Sequence, residues 1–181
     1  MSKNNSRQII LACNEQGNFQ EYIPKEVGHA GNGKRHLAIT VLIYNDKGEV
    51  LLQQRKHKVF DNIWDITGAT HPLHREDNTD ENFTEATLRC IKREYNIDPL
   101  PLQNLGSFNY DAQYGDLCEN EHCAMMLGEY NGPLKLNNEV GYSYKWMDKN
   151  EFLADIRKNP QKYSAWAKKG VEILKKKGFF I

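Results

Sequence analysis

The chain has 181 residues, enough for one sizeable core and short for two, so a single domain over residues 1–181 is expected. Its 24 basic side chains balance 24 acidic ones, which leaves no global field to draw it to nucleic acid or to an anionic membrane. The longest apolar run, residues 37–43, is far shorter than the roughly 20 residues of a membrane span.

Residues 1–6 carry no pattern and are expected to be disordered; the polar start lacks the apolar stretch of a secretory signal, so a cytosolic location is expected. Residues 7–12 and 19–23 flank Asn14-Glu15-Gln16-Gly17, a hairpin signal, because Asn and Gly supply the positive φ that tight turns demand. A second hairpin is expected from residues 36–44 and 50–55 around Asn45-Asp46-Lys47-Gly48, its first strand apolar enough to be buried on both faces.

Between residues 78 and 96 the period changes to about 3.6. Phe83, Ala86, Thr87, Cys90, Ile91 and Glu94 fall on one helical face, with Thr79 or Asp80 as the expected cap and Asn96 in the left-handed position after the last turn. Residues 107–114, 119–130 and 140–147 have strand composition. Asp148 caps a helix reaching Lys158, Pro160 stops it, and a basic helix spans residues 161–177 before an apolar tail. Strands, one helix, strands and then helices predict an α/β sandwich with a mixed β-sheet rather than a doubly wound fold. Cys13, Cys90, Cys118 and Cys123 form no CxxC pair and are expected to be reduced thiols.

Imidazole and carboxylate groups are scattered in three pieces that could share one divalent cation. Glu119 and Glu121 lie two apart in a strand and so project from one face, as does Cys123. His29 and His36 flank the Gly-rich turn Ala30-Gly31-Asn32-Gly33-Lys34-Arg35, and His71 precedes Pro72 in a predicted loop. Taken singly, each histidine is more often a surface or hydrogen-bonded core residue, and a Glu-x-Glu pair can be a solvated strand face.

The segments Gly28-His29 to His36-Leu37-Ala38, Leu51-Leu52-Gln53-Gln54-Arg55 with Lys58, Trp64 to His71-Pro72-Leu73, Arg89 to Glu94, and Glu119-Asn120-Glu121 together resemble the type I isopentenyl diphosphate isomerases of the Nudix superfamily. That resemblance implies a Nudix-type α/β/α sandwich, a small diphosphate ester as substrate, and a monomer or weak homodimer. It implies five metal ligands at His29, His36, His71, Glu119 and Glu121, holding Mg²⁺, Mn²⁺ or Zn²⁺. It implies further that Glu94 holds Mg²⁺ on the diphosphate, that Lys25, Arg55 and Lys58 face that group, and that Trp166 walls the hydrocarbon pocket. Glu121 is the implied catalytic residue, with Tyr110 beside it.

Moving a double bond needs one proton delivered and another removed. In that family a cysteine two residues before the His-Pro pair works opposite the glutamate; here the run is Asp65-Ile66-Thr67-Gly68-Ala69-Thr70-His71-Pro72, and Ala69 stands at the cysteine position. A methyl group neither gives nor accepts a proton. Two alternatives follow. One is a Nudix-type hydrolase of a prenyl or nucleoside diphosphate, although the helix run from Arg89 to Ile97 keeps only Arg89 and Glu94 of the hydrolase motif's charges. The other is a non-catalytic prenyl diphosphate binder.

Overall fold

The computed structural model describes residues 8–180. The expected disorder of residues 1–6, the strand start at Arg7 and the end of the apolar tail at Ile181 lie outside them. In chain order the elements are β1 (Ile9–Cys13), β2 (Phe19–Pro24), α1 (Lys25–His29), β3 (His36–Tyr44), β4 (Glu49–Arg55), β5 (Trp64–Ile66), β6 (Gly68–Thr70), β7 (Leu73–His74), α2 (Phe83–Tyr95), β8 (Leu102–Tyr114), β9 (Leu117–Glu129), β10 (Gly141–Asp148), α3 (Lys149–Lys158) and α4 (Ala165–Lys176).

β1 and β2 form the expected antiparallel hairpin, with Gly17 at φ +80° in its turn. The second hairpin is different from the expectation. β3 and β4 pair only at Tyr44 and Val50, while β3 runs parallel to β9 over its whole length, from His36 beside Glu121 to Tyr44 beside Glu129. The reason is burial. β3 is apolar on both faces, so it is stable only as a central strand with partners on both edges. Along its other edge it takes β1 at His36, β6 at residues 39–41 and β4 at its end.

Alternation along β3 and β9 then defines two layers. Ile39, Val41 and Ile43, with Ala124 and Met126, pack on Ala86, Ile91 and Tyr95 of α2. Leu42, Met125 and Leu127 face Phe152 and Ile156 of α3 and Ala167, Val171 and Leu174 of α4. Each fully buried aliphatic chain here contributes about 1.5–3 kcal/mol of transfer free energy. The result is the predicted α/β/α sandwich on a mixed sheet.

α2 starts at Phe83 and not at residue 78. Asn82 caps it by accepting from Glu85 N at 2.9 Å, while the Glu85 side chain reaches back to Asn82 N at 2.9 Å. Thr79 and Asp80 are unavailable as caps, because Asp77 accepts from Thr79 and Asp80 accepts from Tyr22 and pairs with His74. Asn96 takes the expected left-handed turn at φ 56°, and Asp148 caps α3. The last helix starts later than expected: residues 160–162 form a 3₁₀ turn, and Ser164 caps α4 by accepting from Ala167 N at 3.1 Å. All four cysteines are free and buried. No helix among the described residues is long and apolar enough to cross a membrane.

Candidate active site and metal centre

The parallel pairing of β3 with β9 and the antiparallel pairing of β8 with β9 place His36, Glu121 and Tyr110 side by side across three strands. Residues directly opposite in a sheet share a face, so the three side chains form one row. Glu119, two residues before Glu121, projects from that same face. α1, absent from the expected elements, ends at His29 and hangs it over this row. Positive φ at Gly31 (+59°) and Gly33 (+63°) turns the chain back into β3. Gly33 also sits so close to Cys118 that a Cβ would lie 2.3 Å from its Sγ. His71 follows β6 directly and closes the cluster.

The three imidazoles form a triangle with ring centroids 4.8–5.0 Å apart. His29 Nδ1 lies 3.0 Å from Cys118 O, and His36 Nδ1 lies 2.7 Å from Lys34 O. A carbonyl only accepts, so both Nδ1 atoms carry the proton and both Nε2 atoms are bare. Those Nε2 atoms are buried and have no hydrogen-bond partner, and neither has Glu119 Oε2, which lies 3.2 Å from His29 Nδ1. One ligand atom from each of His29, His36, His71 and Glu119 lies within 4.8 Å of all the others. Glu121 Oε1 joins them at 2.9 Å from His71 Nε2 and 3.5 Å from His36 Nε2. Buried, unpartnered nitrogens that converge with two carboxylates suit a divalent cation, which would supply the interactions these atoms lack.

Local electrostatics divide this donor set: at His29 burial lowers the imidazole, but the Glu119 carboxylate beside it outweighs burial and leaves it raised. Burial, helped by the Lys25 ammonium, holds His71 well below its ordinary value, so it stays neutral. Burial would push the Glu121 carboxyl up, but the polar groups packed on it, the Tyr110 hydroxyl among them, outweigh burial and leave it lowered. Tyr110 donates to Glu121 Oε2, and burial followed by the Glu121 charge keeps the phenol firmly protonated.

This cluster forms one end of a cavity of about 450 Å³, within the size range of small-ligand sites. Lys25, Arg55, Lys58, Tyr110 and Trp166 all line it, as does Ala69. Ala69 pairs with Thr40 in the β6–β3 ladder, so it projects from the sheet face that carries α4. The aromatic wall is Trp166, with Phe60 edge-on at 5.6 Å and Tyr110 at 5.9 Å.

Glu94 stands apart from the other expected site residues. It is buried but does not line the cavity: Gln53 Nε2 donates to its Oε2 at 2.9 Å and Arg93 to its Oε1 at 2.6 Å. It lies behind β6, on the α2 side, where a Cβ at Gly68 would be 3.1 Å from its Oε2.

Besides Phe60, several contributors went unrecognised in the sequence. Asp65 accepts from Ser164 Oγ (2.8 Å), Trp166 Nε1 (2.7 Å) and Arg55 (3.2 Å), and so locks the aromatic wall to a cation. Arg55 in turn stacks 4.7 Å from the Trp166 ring centre. Arg93 and His57 line the cavity beside Lys25 and Arg55. Burial, then the charges of Arg55, Arg93 and Lys25, push His57 down to about 4. The only sequence signal for these was the concentration of cations near Arg55 and at the end of α2.

The NUDIX domain model matches residues 34–167. An isopentenyl-diphosphate Delta-isomerase 2 of Aromatoleum aromaticum is 29% identical over 162 residues, covering 88% of this chain and 82% of that one. The isopentenyl-diphosphate Delta-isomerase of Haloarcula marismortui is 28% identical, covering 88% and 84%. Among solved structures, DR0079 of Deinococcus radiodurans superposes with a TM-score of 0.62 at 15% identity, covering 83% of this chain and 90% of that one. A MutT NUDIX hydrolase of Burkholderia pseudomallei gives 0.60 at 19%, covering 78% and 98%. With the sandwich, the parallel β3–β9 pairing and this matched span in agreement, the chain belongs to the NUDIX domain family.

Proposed function

We propose that this protein binds a small diphosphate ester in the cavity and, with a divalent metal in the His/Glu cluster, interconverts isopentenyl and dimethylallyl diphosphate. The observation that carries this reading is the buried, unpartnered set of His29 Nε2, His36 Nε2 and Glu119 Oε2 beside a carboxylate, Glu121, that a tyrosine orients. The relatives named as isopentenyl-diphosphate isomerases over nearly the whole chain support it.

His29, His36, His71, Glu119 and Glu121 would hold the metal, which when bound supplies positive charge that polarises the Glu121 carboxyl. Glu121 is the proton carrier, and the Tyr110 hydroxyl fixes which of its oxygens faces the substrate. Trp166, Phe60 and Tyr110 exclude water from the hydrocarbon part, while Lys25, Arg55 and Lys58 hold the charged end. Ala69 supplies no proton, so both transfers would fall to Glu121: its protonated carboxyl gives a proton to the terminal alkene carbon and the resulting carboxylate takes one from the neighbouring methylene, which restores Glu121, and slow turnover is expected. Magnesium on Glu94 forms no part of this reading, because both of its carboxylate oxygens already accept protein hydrogens.

The test is ¹H NMR of isopentenyl diphosphate incubated with metal-loaded protein in D₂O. Interconversion with deuterium uptake is expected; Glu121→Gln should abolish it while calorimetric binding persists, and Ala69→Cys should accelerate it. An inert wild type with an active Ala69→Cys variant would make the protein a binder and overturn the isomerase reading. A hydrolase is less well supported by α2. Arg89 is engaged by Glu81 and the His71 carbonyl, and the two remaining motif positions are Cys90 and Arg93. Phosphate release from prenyl or nucleoside diphosphates would restore that alternative.

A further inference from the structure

We propose that this chain grips the diphosphate of its ligand directly with the Arg93 guanidinium, in the place where a metal ion bound to the α2 glutamate would otherwise act. The inference rests on the reading of the cavity as a diphosphate site.

Magnesium demands near-octahedral oxygen ligation at about 2.0–2.1 Å and sheds water reluctantly. The surroundings of Glu94 do not fit it. Each of its oxygens accepts a hydrogen from the protein: Gln53 on one, Arg93 and the Cys90 thiol (3.5 Å) on the other. The carboxyl is 2% exposed and is pressed against the β6 backbone at Gly68. No second carboxylate stands beside it on the helix, since the neighbouring positions are Cys90 and Arg93. A dication there would have to displace a guanidinium from its ion pair.

Arg93 itself offers what the metal would supply. Its side chain is 38% exposed and lines the cavity, although its neighbour Glu94 is buried. A guanidinium has five donors in a planar fork that matches phosphate oxygens, and the Glu94 bond uses one nitrogen of the three. Glu94 then anchors and orients Arg93 from behind.

The rest of the cavity mouth is built to the same end. Lys25, Arg55 and Lys58 line it together with Arg93, and among the described residues the only carboxylates lining it are Glu26, Glu119 and Glu121, the last two belonging to the metal cluster. The cations feel one another: after burial, Arg93 is the largest influence lowering Lys25, and Arg55, Arg93 and Lys25 all act on His57. Repulsion of this kind is relieved by a bound anion with two or three negative charges.

The experiment uses protein loaded with one equivalent of Mn²⁺ in the His/Glu cluster and freed of excess metal. Isopentenyl diphosphate is titrated calorimetrically without and with millimolar Mg²⁺, and bound metal per chain is counted in both. The expected result is a dissociation constant unchanged within about threefold and one metal per chain throughout. Arg93→Gln should weaken binding about tenfold or more in the absence of Mg²⁺, as loss of a charge-assisted bond implies, with Arg93→Lys recovering part of it. Binding by the wild type that requires added Mg²⁺, with a second metal per chain, would overturn the proposal while leaving the diphosphate reading intact. That comparison needs no variant to fold. Absence of binding under both conditions would refute the diphosphate reading itself, and this inference with it.

Discussion

Arg89 ties the His/Glu cluster to the α2 side of the sandwich, and its replacement by Met keeps the aliphatic stem while removing every donor. Its Nε and one terminal nitrogen donate to Glu81 Oε1 and Oε2 at 2.8 Å each, and the same terminal nitrogen donates to the His71 carbonyl at 2.8 Å. Glu81 is 8% exposed and also accepts from Leu73 N at 3.1 Å, so it cannot turn to solvent when the guanidinium goes. A half-buried bidentate pair broken from one side, with a carboxylate left behind, is expected to cost about 3 kcal/mol. For a chain of this size that lowers Tm by roughly 10 °C. His71 also loses the bond that fixes its backbone, and a supporting partner of this kind is worth about 10- to 100-fold in metal affinity. Urea unfolding of metal-free Arg89→Met measures the first effect, and competition with a chromophoric chelator measures the second. Arg89→Met/Glu81→Gln should be less destabilised than the sum of its single variants, because the stranded charge is gone. A loss under about 1 kcal/mol together with unchanged metal affinity would refute the reasoning.

Gly33→Ala should abolish tight metal binding, since φ is +63° there and the new methyl would meet Cys118 Sγ and the Gly28 carbonyl; Gly31→Ala, with φ +59° but open space, should cost only about 1 kcal/mol and keep the metal. Equal behaviour of the two in a metal titration would sink this account of the His29–His36 turn. His57 is held down to about 4 in the fold, below its ordinary 6.5. It therefore contributes stability that is present above about pH 6.5 and lost as pH falls toward about 4, and urea unfolding of His57→Gln across that window should show a shallower acid decline than wild type. Asn82→Ala removes the side-chain half of the α2 capping box and should lower stability by about 1 kcal/mol; an unchanged urea midpoint would place the cap's contribution elsewhere.

Much of the fold was legible because local rules act within a few residues. The 3.6-residue stripe of α2, the left-handed Asn96 and the Asp148 cap are properties of short windows, and tertiary packing had no reason to override them. The Glu119/Glu121 pair was legible for the same reason, as strand parity alone puts both carboxylates on one face. Starts of helices were less legible: Thr79, Asp80 and Asn82 are equivalent as cap chemistry, and only the contacts of Asp77, Tyr22 and His74 decide between them.

The sequence by itself determined the sandwich class, the inward face of α2 and the five metal-type side chains, because composition and period set which groups exist and which way they point locally. Whether those groups meet depended on long-range register. That His36 stands beside Glu121, and not across a hairpin from β4, follows from β3 being central and parallel to β9. The same holds for Glu94 and Arg93. The stripe showed that Glu94 turns inward, but only the approach of β4 and β6 to α2 decided that it meets Gln53 and Arg93 rather than the cavity, and so left Arg93 to face it.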